Sequence, residues 1–134
     1  MKIKPCVIGL GYVGLPLLVE LSKTTNAFGY DVNKKRIKTL KSLNDINNEF
    51  TKKELIYLKK RNLTHNFKDV KNCNFYIVCV PTPINRFKKP DISLLKTAFR
   101  KLGKIIKKND IIILESTVFP GTTEDICVPI LEKY

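Results

Sequence analysis

No stretch of this sequence reaches the roughly 18 to 20 apolar residues of a membrane-spanning helix, and none of its four cysteines stands in a CxxC pair. Histidine is scarcer still: His65 is the only one, in LTHNF, without an obvious partner. Zinc sites draw on several Cys or His ligands at recurring spacings, so no metal is expected, and His65 reads as solvated or hydrogen-bonded. Cys6 and Cys79 fall inside apolar runs, where a free thiol behaves as a small hydrophobe. Internal repeats and low-complexity linkers are also missing, and 134 residues suffice for one core rather than two. A single domain over residues 1–134 is therefore expected. The opening MKIKPCVIGLG runs straight into a strand-like segment and leaves no room for a signal peptide. A cytoplasmic location follows as an expectation, with thiols kept reduced.

Acidic residues are outnumbered, 12 against 25 basic ones, for a net charge of +13. Such a charge attracts polyanions. The lysines are scattered, however, over pairs such as Lys34 and Lys35, Lys52 and Lys53, and Lys107 and Lys108, without the interleaved aromatics of a single-strand platform. Solvated faces account for them, so neither a nucleic-acid nor a membrane partner is expected.

Glycine is sparse as well, six in all, yet half of them crowd into CVIGLGYVG as Gly9, Gly11 and Gly14, with Leu10, Tyr12 and Val13 between. This GxGxxG spacing suits dinucleotide binding: the first glycine permits a tight turn, the second lets pyrophosphate approach the backbone, and the third lets helix and strand pack closely. The phosphates would meet a helix N-terminus, whose free N–H groups and dipole favour an anion. Asp31 ends the next apolar run, 22 residues after Gly9, close to where a carboxylate meets the adenosine ribose hydroxyls. That placement argues for NAD over NADP.

The surrounding pattern supplies the matching βαβ unit: a strand over 3–8, a helix from Tyr12 to about Thr24 with Pro16 near its start, and a strand over 27–31. Asn33 can cap a helix with Ile37, Leu40 and Leu43 on one stripe. Thr51 and Glu54 form a capping box with Phe50 and Leu55 as its staple, which predicts a helix over 52–61. Further strands are expected over 63–67, 75–80 and 111–114, and Asp91 should cap a helix whose stripe runs through Leu95, Phe99 and Leu102 to Ile105 and Ile106. Alternating strands and helices predict an α/β fold, a Rossmann-like doubly wound parallel sheet of order 3-2-1-4-5 in three αβα layers. Ligands of such sheets bind beyond the C-terminal strand ends. Two motifs fall there, VPTP (Val80, Pro81, Thr82, Pro83) and ESTVFPGTTED, with Ser116 and Thr117. For VPTP alone a rigid loop in which prolines end the strand is the favoured account. For Ser116 and Thr117 turn capping is the plain account, and their position at the cofactor edge favours hydrogen bonding to the nicotinamide ribose or ring.

Taken together, VIGLGYVGLPL, GYDVNKKRI, FYIVCVPTPI and ESTVFPGTTED resemble the N-terminal NAD-binding domain of the UDP-glucose/GDP-mannose dehydrogenase family, in order and over nearly the whole chain. EST with PGTTE and CVPILEK looks most like the UDP-N-acetylhexosamine 6-dehydrogenases of surface-polysaccharide synthesis. The resemblance implies NAD as cofactor, a pyrophosphate cradle from Gly9 to Gly14, Asp31 on the adenosine ribose, and Arg36 flanking that pocket. It places Val80, Pro81, Thr82, Ser116 and Thr117 on the nicotinamide side. It further implies oxidation of a UDP-sugar C6 alcohol to the uronate by two hydride transfers, through a cysteine-bound thiohemiacetal and thioester. The catalytic cysteine, lysine and asparagine, the central helix, the uridine-binding C-terminal domain and a sixth strand of that family match nothing here. The expectation is a cofactor domain, inactive alone, with a possible homo-oligomer. Two other classes stay open: a non-enzymatic nucleotide-sensing Rossmann module, against which VPTP and ESTVFPG speak, and a polyanion-binding module.

Overall fold

In a computed structural model that describes residues 2–134, five parallel strands form one sheet in the order β3-β2-β1-β4-β5. The strands are β1 (Pro5–Ile8), β2 (Phe28–Tyr30), β3 (Leu63–Thr64), β4 (Phe75–Val78) and β5 (Ile111–Leu114). Between them run α1 (Gly14–Thr24), α2 (Lys34–Lys41), α3 (Lys52–Leu55) and α4 (Ser93–Gly103), and α5 (Val128–Glu132) closes the chain. The expected strand order is the observed one.

Because side chains alternate along a strand, β1 and β4 divide their residues between two cores. Val7 and Ile77 face Leu15, Leu18, Ile37 and Leu40 of α1 and α2. Cys6, Ile8, Tyr76 and Val78 face Leu95, Phe99 and Leu102 of α4. These are the three predicted layers. Burying each large apolar side chain contributes on the order of 2 kcal/mol, so the two central strands anchor the sheet. The Tyr76 hydroxyl, sunk in the second core, donates to the carbonyls of Val70 and Cys73 at 3.1 and 2.9 Å.

Local signals marked the elements better than their lengths. The capping box at Thr51 and Glu54 is present, but α3 ends at Leu55 instead of Arg61. Buried Asn62 explains this: its side-chain amide donates to the Ala27 carbonyl at 3.0 Å, drawing the chain through a 3₁₀ turn (Lys60–Asn62) into β3. That strand is only two residues long, since Phe67 turns away into a second 3₁₀ segment and packs edge-on against Tyr30 with ring centres 4.8 Å apart. Ile92, not Asp91, takes the N-cap position of α4 and makes no side-chain cap bond; Asp91 stands one residue earlier and accepts from the Ser93 amide at 2.9 Å. Ile105 and Ile106 lie beyond the end of that helix and still pack on its core. Strand β4 leaves the sheet after Val78, and Cys79 is held by its amide to the Ile8 carbonyl at 2.8 Å. At the sheet edge β5 stays partly exposed, with Ile111 at 45%.

Candidate functional site at the C-terminal strand ends

The glycine turn joins β1 to α1, and each glycine there answers a different demand. Gly9 has φ +92°, and a Cβ on it would lie 2.8 Å from the Cys79 carbonyl oxygen. A Cβ on Gly14 would lie 1.7 Å from the Gly9 carbonyl oxygen, so helix and turn touch backbone to backbone. A Cβ on Gly11 would meet nothing within 4 Å. The middle glycine therefore serves no packing need; it keeps clear the approach to the backbone. Val13, at the cap of α1, offers no side-chain acceptor to the helix amides, and their positive end stays available to an anion.

Asp31 stands directly after β2 and faces this turn. Its Oδ2 accepts from the Leu10 amide and its Oδ1 from the Asn33 amide, both at 2.8 Å. A carboxylate has about four acceptor positions, so two remain for hydroxyl donors. Arg36 goes elsewhere. Its guanidinium is buried, donating from Nε to the Leu10 carbonyl at 2.8 Å and from Nη1 to Asp45 at 2.6 Å, while Nη2 has no partner among the described residues. It braces the glycine turn from behind and lines neither cleft described next.

Two clefts meet at the turn. One, of about 270 Å³, runs from Gly9, Gly11, Asp31 and Val32 to Leu94, Thr97, Ala98 and Lys101 of α4. The other, of about 330 Å³, holds Tyr12, Val13, Asn47, Thr82, Ser116 and Thr117. Gly11, Val80 and Pro81 border both. In the second cleft the loops after β4 and β5 are laced together. The Thr82 hydroxyl donates to the Thr117 carbonyl at 2.5 Å, and the Ser116 hydroxyl donates to the Val80 carbonyl at 2.7 Å. These side chains build the wall, and their hydroxyl oxygens keep acceptor capacity toward the cleft.

All the sequence-selected residues except Arg36, Leu10 and Gly14 border these clefts; those three hold the turn from beneath. Sequence reasoning missed Leu94, Thr97, Ala98 and Lys101, because one face of α4 shows only a solvated helix pattern. Lys101 is fixed by donating to the Tyr30 hydroxyl at 3.0 Å. It missed Asn47 as well. Cys79 also lines the second cleft, yet burial, aided by the charge of Glu115, pushes its thiol up to about 11. It is a protonated packing group at neutral pH. A larger hollow of about 720 Å³, lined by Lys2, Lys4, Asn26 and Cys73 among others, lies toward the start of β1 and β2 and takes in no residue of the motifs. Among the described residues no cluster of His, Cys, Asp and Glu could hold a metal, and no helix is long and apolar enough to cross a membrane.

A parallel sheet of this order, with a glycine turn at its switch point and a carboxylate beyond β2, defines a Rossmann dinucleotide-binding domain. The chain belongs to the UDP-glucose/GDP-mannose dehydrogenase family, NAD binding domain, which it matches over residues 1–134. It is 48% identical over 132 residues to a UDP-N-acetyl-D-glucosamine 6-dehydrogenase of Salmonella typhi, covering 98% of this chain and 31% of that protein. Among solved structures, a UDP-D-ManNAc dehydrogenase from Pyrococcus horikoshii superposes with a TM-score of 0.86 at 34% identity, over 98% of this chain and 32% of that one. A ternary complex of GDP-mannose dehydrogenase from Pseudomonas aeruginosa gives 0.86 at 26% identity, again over 98% of this chain and 32% of that one. The chain thus spans about a third of the length of these relatives.

Proposed function

We propose that this chain is the cofactor half of a nucleotide-sugar 6-dehydrogenase and binds NAD across the two clefts. The observation that carries the reading is the contrast among the three glycines: two are occluded by backbone, and the one between them opens onto free space. Pyrophosphate would lie against Gly11 and the N-terminus of α1, Asp31 would accept from the adenosine ribose, and Val80 to Thr82 with Ser116 and Thr117 would bound the nicotinamide. When bound, NAD supplies the hydride acceptor. The protein's own contribution is to bind, to orient, and to hold the reacting ring at the cleft wall, which is a proximity effect.

The relatives' names support a UDP-N-acetylhexosamine as the sugar of a longer enzyme, oxidised at C6 to the uronate. Within residues 2–134 the only cleft thiol, Cys79, is held protonated, so the nucleophile for that chemistry would come from outside this domain. A cytoplasmic setting, a homo-oligomeric assembly and the absence of nucleic-acid and membrane partners belong to the same proposal. Isothermal titration of the folded chain tests it: NAD should bind with NADP weaker. A folded sample that takes up neither NAD nor AMP would overturn the reading.

A further inference from the structure

Residues 43–50, which follow α2, turn through two left-handed positions, Leu43 (φ 55°) and Asn48 (φ 56°). They fold around one buried carboxylate. Asp45 accepts at Oδ2 from the amides of Glu49 and Phe50 at 2.9 and 3.2 Å. Its Oδ1 accepts from the Asn47 amide at 3.2 Å and from Arg36 Nη1 at 2.6 Å. Arg36 continues to the Leu10 carbonyl. An unbroken chain of bonds thus joins the glycine turn, through Arg36 and Asp45, to Asn47. The Arg36 and Asp45 side chains are 8% and 0% exposed, and solvent screens such a pair little. A loop of five polar residues in eight, NDINNEF preceded by leucine, would otherwise have little reason to keep one shape.

This anchoring sets Asn47 in the wall of the second cleft, beside Tyr12, Val13 and Thr82. Asp45 occupies its backbone amide. Its side-chain carboxamide, with two donors and one acceptor, makes no hydrogen bond to the protein among the described residues. We infer that Asn47 is a further cofactor-binding residue, whose carboxamide hydrogen-bonds an oxygen of the nicotinamide mononucleotide half, and that Asp45 is the positioning residue that holds it there. The inference rests on the NAD-binding reading above. The oxygen belongs to that half because Asn47 borders the cleft of Thr82, Ser116 and Thr117, whereas Asp31 and Val32 border the other.

Titration calorimetry with NAD and with AMP, which fills the adenosine side alone, separates the possibilities. Asn47→Ala should weaken NAD about fivefold, the worth of one neutral hydrogen bond, and leave AMP unchanged. Asp45→Asn should show the same selective loss, and the double variant should lose no more than either alone, since both act through one contact. Unchanged NAD affinity in Asn47→Ala, or equal weakening of NAD and AMP, would overturn the inference while the functional reading stands. Failure of the unaltered chain to bind either ligand would overturn both. Asn47 is half-exposed and outside any helix or strand, so its alanine variant keeps the test open even if Asp45→Asn does not fold.

Discussion

The third glycine of the turn rests against the first: a methyl group on Gly14 would lie 1.7 Å from the carbonyl oxygen of Gly9. Contact this close ties the first turn of α1 to the end of β1. Gly14→Ala should therefore cost more than about 3 kcal/mol, as overpacking against immovable backbone does. Gly11→Ala has open space around its new methyl group and should leave the urea midpoint nearly unchanged. The same methyl would stand where pyrophosphate approaches and should weaken NAD at least about tenfold. A Gly11→Ala protein that binds NAD as well as the unaltered chain would remove the phosphate from this turn.

Asp31 holds the amides of Leu10 and Asn33 through its two oxygens. Asparagine keeps an oxygen for the turn and removes the charge that a 2′-phosphate would meet. Asp31→Asn should thus weaken NAD by about tenfold, the lower range for a hydrogen bond to a charged group, and should narrow the preference for NAD over NADP. Paired titrations at one ionic strength measure the ratio. An unchanged ratio would place the adenosine ribose elsewhere.

Arg36 and Asp45 form a buried pair, and removing one partner strands the other. Arg36→Met should destabilise the fold by about 3 to 5 kcal/mol in urea unfolding. Burial opposes ionisation of Asp45, but the Arg36 hydrogen bond and the amides of Glu49 and Asn47 outweigh it and hold the carboxyl below its usual value. A carboxyl depressed in the folded state adds stability above its unfolded pKa of about 4 and loses it as the pH falls through the folded value. The urea midpoint should accordingly drop below about pH 4, with a shallower drop in Asp45→Asn. Identical acid profiles would show that other carboxylates govern acid unfolding.

Cys79 borders the second cleft with its thiol pushed up to about 11 by burial and by Glu115. All four cysteines are free and buried. At pH 8 roughly one Cys79 in a thousand would be thiolate, so alkylation of the native chain should be far slower than of the urea-unfolded chain. Rapid labelling of Cys79 at that pH would make it a reactive group and not a packing one.

Much of the architecture was legible because its signals are local. Gly9, Gly11, Gly14 and Asp31 are read from spacing, since turn sterics and the reach from β1 to β2 are set within about thirty residues of chain in a βαβ unit. The strand order followed from alternation and topology rules. Element lengths were less legible: α3 stops early because Asn62 finds the Ala27 carbonyl, 35 positions away, and no helix propensity reports on that bond. Arg36 was selected as a pocket residue by resemblance, and the fold turns it inward onto Asp45.

The sequence by itself thus determined that a dinucleotide turn exists, on which strand it opens, and which acid follows it, because those features depend on steric limits of neighbouring residues. Only the tertiary structure decided which surfaces line the two clefts. Lys101 meets Tyr30 from 71 positions away, Thr82 meets Thr117 from 35, and Asn47 enters the cleft through a carboxylate held by Arg36. Such meetings depend on how helices pack across the sheet and on which polar groups find partners once water is excluded. Both are properties of the assembled core, written in no single segment of the chain.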